Sequence, residues 1–145
     1  MDVGGIWYNE LNSTMFLEVA GKTISGWYIS AVGEASGPYD LIGFLDEGRF
    51  PTLAWVVVWR NQHKEVPVVT AWSGQAQTLE GGIDQIDSMW ILTESTAVKE
   101  DWQSQMIGKD VFNRAIASAE DVRRAMASKG IKKLNVEPGT APPKP

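Results

Sequence analysis

The feature that most constrains this chain is a series of short β-type segments, each closed by turn residues, that runs without a helical interruption to about residue 113. The segments are Ile6–Asn9, Thr14–Ala20, Thr23–Ser30, Tyr39–Asp46, Thr52–Arg60, Val66–Gln75, Ile83–Thr93 and Gln103–Asn113. Between them stand Gly21-Lys22, residues 33–38, Glu47-Gly48, residues 61–65, Gly81-Gly82 and residues 94–100. Regularly spaced short strands with tight loops make an antiparallel sandwich or an up-and-down barrel. The lack of helices between them argues against a parallel sheet.

The strand faces say more. Leu53, Trp55, Val57 and Trp59 share one face of the fifth segment, and Ala54, Val56 and Val58 share the other. In the sixth, Val66, Val68, Thr70 and Trp72 alternate with Val69 and Ala71; in the seventh, Ser88, Trp90 and Leu92 alternate with Met89 and Ile91. An antiparallel sheet with one wet face alternates apolar with polar residues. Here both faces are apolar, so the outer one needs a cover. A second subunit is the simplest cover, and a helix of the same chain is the alternative.

After Asn113 the pattern changes. Ser118 is placed as an N-cap, Glu120 and Asp121 lie in the first turn, and Gly130 ends the segment. This predicts a helix over about 118–130, with Ala119, Val122, Ala125 and Met126 on one side. Beyond Asn135 the Pro-rich run to Pro145 is expected to be a flexible tail that does not pack. The division is thus a β-barrel domain over 1–113 and an extension over 114–145.

Composition narrows function. The net charge is -5 and no basic stripe is visible, which argues against nucleic acid as a partner. No apolar run is long enough to span a membrane as a helix. With 0 cysteines there is neither a disulfide framework nor a thiolate metal site. No signal peptide is visible, and Met1-Asp2 reads as a start placed on a mature sequence, so the expected address is secreted or periplasmic. The 7 tryptophans are the anomaly. A buried indole N–H wants a partner, so so many indicate either sheet-core aromatics or an aromatic-walled binding site.

A search for catalytic chemistry finds little. The 1 histidine, His63, falls in a loop beside Lys64 and Glu65 and reads as solvated surface. Ser73-Gly74 lacks the preceding glycine of a nucleophile elbow. No spacing resembles a phosphate loop or a metal site, and the sequon Asn12-Ser13-Thr14 reads as incidental in a short turn. One carboxylate draws notice. Asp110 is in phase with Gly108 and Phe112 and is interior if they are. By phase alone an outward, solvated Asp110 is the simpler arrangement, because a buried carboxylate must be matched.

Several fragments resemble one family. Gly5-Ile6-Trp7-Tyr8-Asn9, Leu11 and Ser13 resemble the opening strand and turn of the avidin/streptavidin family. The run from Gly26 to Gly33, Gly26-Trp27-Tyr28-Ile29-Ser30-Ala31-Val32-Gly33, resembles its third strand and lid loop. Val58-Trp59-Arg60-Asn61, Thr70-Ala71-Trp72-Ser73-Gly74-Gln75, Met89-Trp90-Ile91-Leu92-Thr93, and Asp101-Trp102 followed by Gly108-Lys109-Asp110-Val111-Phe112 resemble the later strands. Each fragment is weak alone; together they stand in order with similar spacings.

The resemblance implies an eight-stranded antiparallel up-and-down β-barrel, a size that holds one small ligand in this family. It implies a binder of biotin rather than an enzyme, with no cofactor. Asn9, Ser13 and Tyr28 would donate to the ureido oxygen, and Ser30 and Asp110 would accept from the ureido N–H groups. Asp110 would thereby polarise the ureido so that the hydrogen bonds reinforce one another. Thr70 would face the thioether sulfur; Trp59, Trp72 and Trp90 would wall the ring system; Leu11, Leu92 and the lid residue Val32 would add lining. Trp102 would cap the ligand of a neighbouring subunit. At the carboxylate end this chain departs from the family, with Val68 in place of a serine and Glu34 in place of a lid asparagine. Trp102 and the lack of cysteine favour a homotetramer or larger assembly.

Two other readings compete. A Trp-rich carbohydrate-binding β module would place its indoles on an exposed face, whereas Trp59, Trp72 and Trp90 share the predicted inner face with Thr70. An enzyme built on Asp110 lacks a second carboxylate on that face.

Overall fold

The computed structural model describes residues 1–35, 37–60 and 66–145. His63, expected in a loop, lies with the rest of 61–65 outside the described residues. Eight strands follow in order: β1 Gly5–Tyr8, β2 Thr14–Ala20, β3 Thr23–Ile29, β4 Tyr39–Asp46, β5 Thr52–Val58, β6 Val68–Leu79, β7 Ile83–Glu94 and β8 Gln105–Asn113. Each pairs antiparallel with the next and β8 pairs back to β1, so the barrel is closed. Closure removes most of the free sheet edges that invite association, although the β1–β8 seam is paired only at Tyr8↔Asn113.

The alternating faces divide as the sequence implies. On β4, Tyr39, Leu41, Gly43 and Leu45 are buried, and on β5 Leu53, Trp55 and Val57 are buried. The intervening Ile42, Phe44, Val56 and Val58 are exposed. One register row runs Trp55↔Trp72↔Trp90↔Gly108 across four strands. Its indoles stack, Trp55 on Trp72 with ring centres 5.7 Å apart and planes at 10°. Indole layers of this kind fill a barrel that aliphatic side chains would leave loose.

Strand ends differ from the sequence expectation where pairing, not composition, sets the limit. β6 begins at Val68 rather than Val66 and runs on to Leu79, because its polar last turn pairs with β7 through Leu79↔Ile83. Gly81 and Gly82 have φ of 84° and 78°, which lets this hairpin turn tightly. A 3-10 helix over Val98–Gln103 occupies the loop before β8, and β8 therefore starts at Gln105 rather than Gln103.

The helix α1 spans Ala119–Lys129. Ser118 caps it by accepting from the Asp121 N–H, and Gly130 closes it in the left-handed conformation. Val122 is buried, and Ala119, Ala125 and Met126 lie partly buried on the same side. The helix is held beside the β1–β2 turn, where Asn12 exchanges two hydrogen bonds with the Ala117 backbone and Lys129 reaches Glu10. It leaves the outer face of β4–β8 uncovered: Ile42, Phe44, Val58, Met89, Ile91 and Ile107 all remain at least half exposed.

The expectation of an unpacked tail is corrected. Asn135 donates through its backbone N–H to the Ala31 carbonyl at 2.7 Å and through Nδ2 to the Gly33 carbonyl at 3.1 Å. Thr140 turns back on Glu137, Gly139 packs on Ala119, Pro142 is buried, and Lys144 sits over the Tyr8 ring. A Pro-rich chain has few conformations to lose, so a handful of contacts is enough to hold it.

Candidate functional site

The barrel encloses a cavity of about 180 Å³ at the end where the β1–β2 turn, the lid loop after β3 and the end of α1 meet. Asn9, Leu11, Ser13, Tyr28, Val32, Trp59, Thr70, Trp72, Trp90, Leu92 and Asp110 line it, joined by Lys129 and Ile131. A second hollow of about 180 Å³ continues outward past Val32, Glu34, Trp59, Val68 and Leu92. A larger groove of about 660 Å³ crosses the outer wall at Ile42, Val56, Val58 and Arg60. That groove lies on the outer surface, whereas the indole-walled cavity lies within the barrel.

The polar groups are held by their own backbone surroundings. Asn9 Oδ1 accepts from the N–H groups of Leu11 and Ser13, both at 2.9 Å. That fixes the amide with Nδ2 as the end left for donation. Ser13 Oγ accepts from the Ala31 N–H at 2.9 Å, which leaves its O–H to donate. Burial, with Asp110 nearby, pushes the Tyr28 phenol well above its usual range, against the pull of a hydrogen bond with Ser13. Tyr28 is thus a hydroxyl donor at any ordinary pH. Trp59 Nε1 donates to Thr70 Oγ1 at 2.7 Å.

Asp110 faces these donors from β8. It is buried at 6% exposure, between Gly108 and the fully buried Phe112 in phase, so the inward placement is the one adopted. Its Oδ2 accepts from Trp72 Nε1 at 2.9 Å. Burial first, and Glu10 second, raise its pKa from 3.8 to about 6; the indoles of Trp72 and Trp90 and the ammonium of Lys129 hold it down. Gly108 makes room for the adjoining indole wall. A Cβ there would stand 2.2 Å from Trp90 Cζ2, so the indole lies in the space a side chain would fill.

One expected residue is turned away from the cavity. The Ser30 hydroxyl points into the lid, donating to the Val32 carbonyl at 2.8 Å and accepting from the Val32 N–H at 3.2 Å. Trp102, expected at a neighbour's ligand rather than its own, stands on the 3-10 helix at 76% exposure. Among the described residues, Asp110 is the one carboxylate in the cavity lining; Glu10 of the β1–β2 turn stands outside that lining, where the Val111 N–H and Lys129 engage its oxygens. Lys129 and Ile131 are the cavity residues the sequence did not reveal; Lys129 ends α1 and Ile131 follows its Gly130 cap.

A model of the Avidin family matches residues 1–115. This chain belongs to the avidin family. Family membership implies biotin binding, and proteins of this family are non-catalytic binders. The avidin barrel here has the interior such a role needs: a buried cluster in which Tyr28, Trp55, Trp59 and Trp72 pack ring against ring. The rings of Trp59, Trp72 and Trp90 face this interior rather than an outer surface suited to stacking on an extended sugar chain.

Proposed function

We propose that this chain binds biotin non-covalently in the barrel cavity with high affinity and serves to sequester the vitamin. One observation carries the reading. Asn9 and Ser13, whose oxygens already accept from backbone N–H groups, and the protonated phenol of Tyr28 face a buried carboxylate, Asp110, across a cavity walled by indoles. A cyclic urea presents the matching pattern, a carbonyl oxygen on one side and an N–H on the other. Donors aimed at one oxygen stabilise charge there as in an oxyanion hole, with binding rather than reaction as the result. Thr70, with its lone pair taken by Trp59, is left to donate toward the thioether sulfur. Trp59, Trp72 and Trp90 wall the rings, and Leu11, Val32 and Leu92 complete the apolar lining. Ser30 would take the other ureido N–H after a rotation of its hydroxyl. Val68 and Glu34 border the outer hollow, where the valerate carboxylate would lie.

The barrel works as a homotetramer or larger assembly in this reading. The uncovered apolar strip of Ile42, Phe44, Val58, Met89 and Ile91 supports it, since a contiguous apolar face in water marks an association surface. Trp102 would then cap a neighbour's ligand. A secreted or periplasmic address suits sequestration of a free vitamin. The test is intrinsic tryptophan fluorescence titrated with biotin: a quench and blue shift that saturate at one biotin per chain are expected. An emission spectrum that biotin leaves unchanged would refute the reading.

A further inference from the structure

The residues that match the avidin family end at 115, yet the C-terminal extension reaches the cavity. Lys129 is the last residue of α1 and lines the cavity together with Ile131. The reason lies in the seam of the barrel. β1 pairs with β8 only at Tyr8↔Asn113, so the edge of β8 at Lys109 and Val111 has no strand beside it. Backbone groups left on such an edge need partners. Here two side chains supply them: the Val111 N–H donates to Glu10 Oε2 at 3.2 Å, and Lys129 Nζ donates to the Lys109 carbonyl at 2.6 Å.

The same ammonium pairs with Glu10 Oε1 at 2.8 Å and lies 3.7 Å from Asp110 Oδ1. About a quarter of each of the Lys129 and Glu10 side chains is exposed, and less of Asp110, so water screens these charges only in part. Two carboxylates thus share one cation, directly outside the wall on which a ligand N–H would land.

We propose that Lys129 is a positioning residue for biotin: its ammonium clamps Glu10 onto the open edge of β8 and keeps Asp110 the ionised acceptor of a ureido N–H, which makes the C-terminal extension part of the binding site. The proposal rests on the biotin reading above. Asp110 is faced by Trp72 from β6, Trp90 from β7, Tyr28 from β3, Glu10 from the β1–β2 turn and Lys129 from α1. The neighbouring Lys109 ammonium is directed to Asp87 instead. Lys129 is therefore the one cation among the described residues that opposes Glu10 at this carboxylate. Without it, burial and Glu10 act on Asp110 unopposed by any positive charge, and its proton is released at a higher pH.

The experiment measures the affinity of the full chain for desthiobiotin, a weaker cyclic urea, by calorimetry from about pH 5 to about pH 9. Wild type is expected to weaken as pH falls below about 6, where Asp110 takes up its proton. Lys129→Met should move that fall-off up by about one pH unit and bind about fivefold more weakly near pH 6, approaching about tenfold (roughly 1.4 kcal/mol) near pH 5, while converging on wild type at high pH. Lys129→Arg should keep the wild-type profile, and Glu10→Gln should move the fall-off down. A Lys129→Met profile that superimposes on wild type, or one weakened by the same factor at every pH, overturns the proposal. If circular dichroism shows Lys129→Met unfolded, Glu10→Gln decides: a downward shift supports the proposal and an unmoved profile overturns it. A wild type that binds neither biotin nor desthiobiotin at any pH sinks the biotin reading itself, and the proposal with it.

Discussion

Replacing Asp110 by asparagine separates what this residue does for the ligand from what it does to the fold. Asp110 sits at 6% exposure, and burial raises its pKa from 3.8 to about 6. The folded state therefore holds this proton better than the unfolded chain does. Stability from this group falls as pH rises from about 4 through about 6, and the loss is complete above that. The size of the shift corresponds to about 3 kcal/mol at neutral pH. Asparagine has no charge to desolvate and can still accept from Trp72 Nε1, while Lys129 keeps Glu10 and the Lys109 carbonyl. Ligand-free Asp110→Asn is thus expected to match wild type near pH 4 and to exceed it by up to about 3 kcal/mol near pH 7. Biotin binding should move the other way. One charge-assisted hydrogen bond contributes about 1.5–3 kcal/mol, so the affinity loss should be on the order of ten- to a hundred-fold. The assay is urea unfolding of both proteins at the two pH values, at one protomer concentration and without biotin, followed by calorimetry with biotin. A variant less stable than wild type at neutral pH, or one with undiminished affinity, would show that the Asp110 charge is not buried against the ligand.

Three further outcomes follow from the same geometry. Gly108→Ala should drive the Trp90 indole out of its place, since the new Cβ would sit 2.2 Å from Cζ2; a loss of at least about 2 kcal/mol in biotin affinity is expected by calorimetry, and unchanged affinity would mean Trp90 does not wall the ligand. Esterifying the biotin carboxylate should alter affinity little, because Val68 and the acidic Glu34 border the outer hollow; a methyl ester more than about 100-fold weaker, roughly 2.7 kcal/mol, would require another group to grip the charge. Trp102→Ala should weaken biotin binding and loosen the assembly together, as truncation of an interface tryptophan typically costs about 2 kcal/mol or more; sedimentation with and without biotin tests this, and a mutant that binds as tightly as wild type excludes the cross-subunit cap.

What the sequence by itself determined is whatever depends on short-range period. Alternation alone separates Leu53, Trp55 and Val57 from Val56 and Val58, and the structure keeps that division, burying the first set and exposing the second. Ser118 and Gly130 mark both ends of α1, since caps are local hydrogen bonds. The motif residues from Asn9 to Asp110 could likewise be picked out one by one, and most of them meet at a single cavity.

Only the tertiary structure decided the rest. Phase left Asp110 free to face either way; the closed barrel turns it inward because Phe112 and Gly108, on the same face, fill the core and seat Trp90. The tail carries no period at all, and its place is set by contacts with Ala31, Gly33 and Ala119 that no local pattern announces. Lys129 reads in sequence as a solvated cation at a helix end. It becomes part of the site because β1 stops one residue before Asn9 and leaves backbone groups of β8 unpaired, more than a hundred residues from Glu10 by chain but 2.8 Å from it in space. Pairing across that distance obeys no periodicity: it is decided by which polar groups the closed barrel leaves without partners.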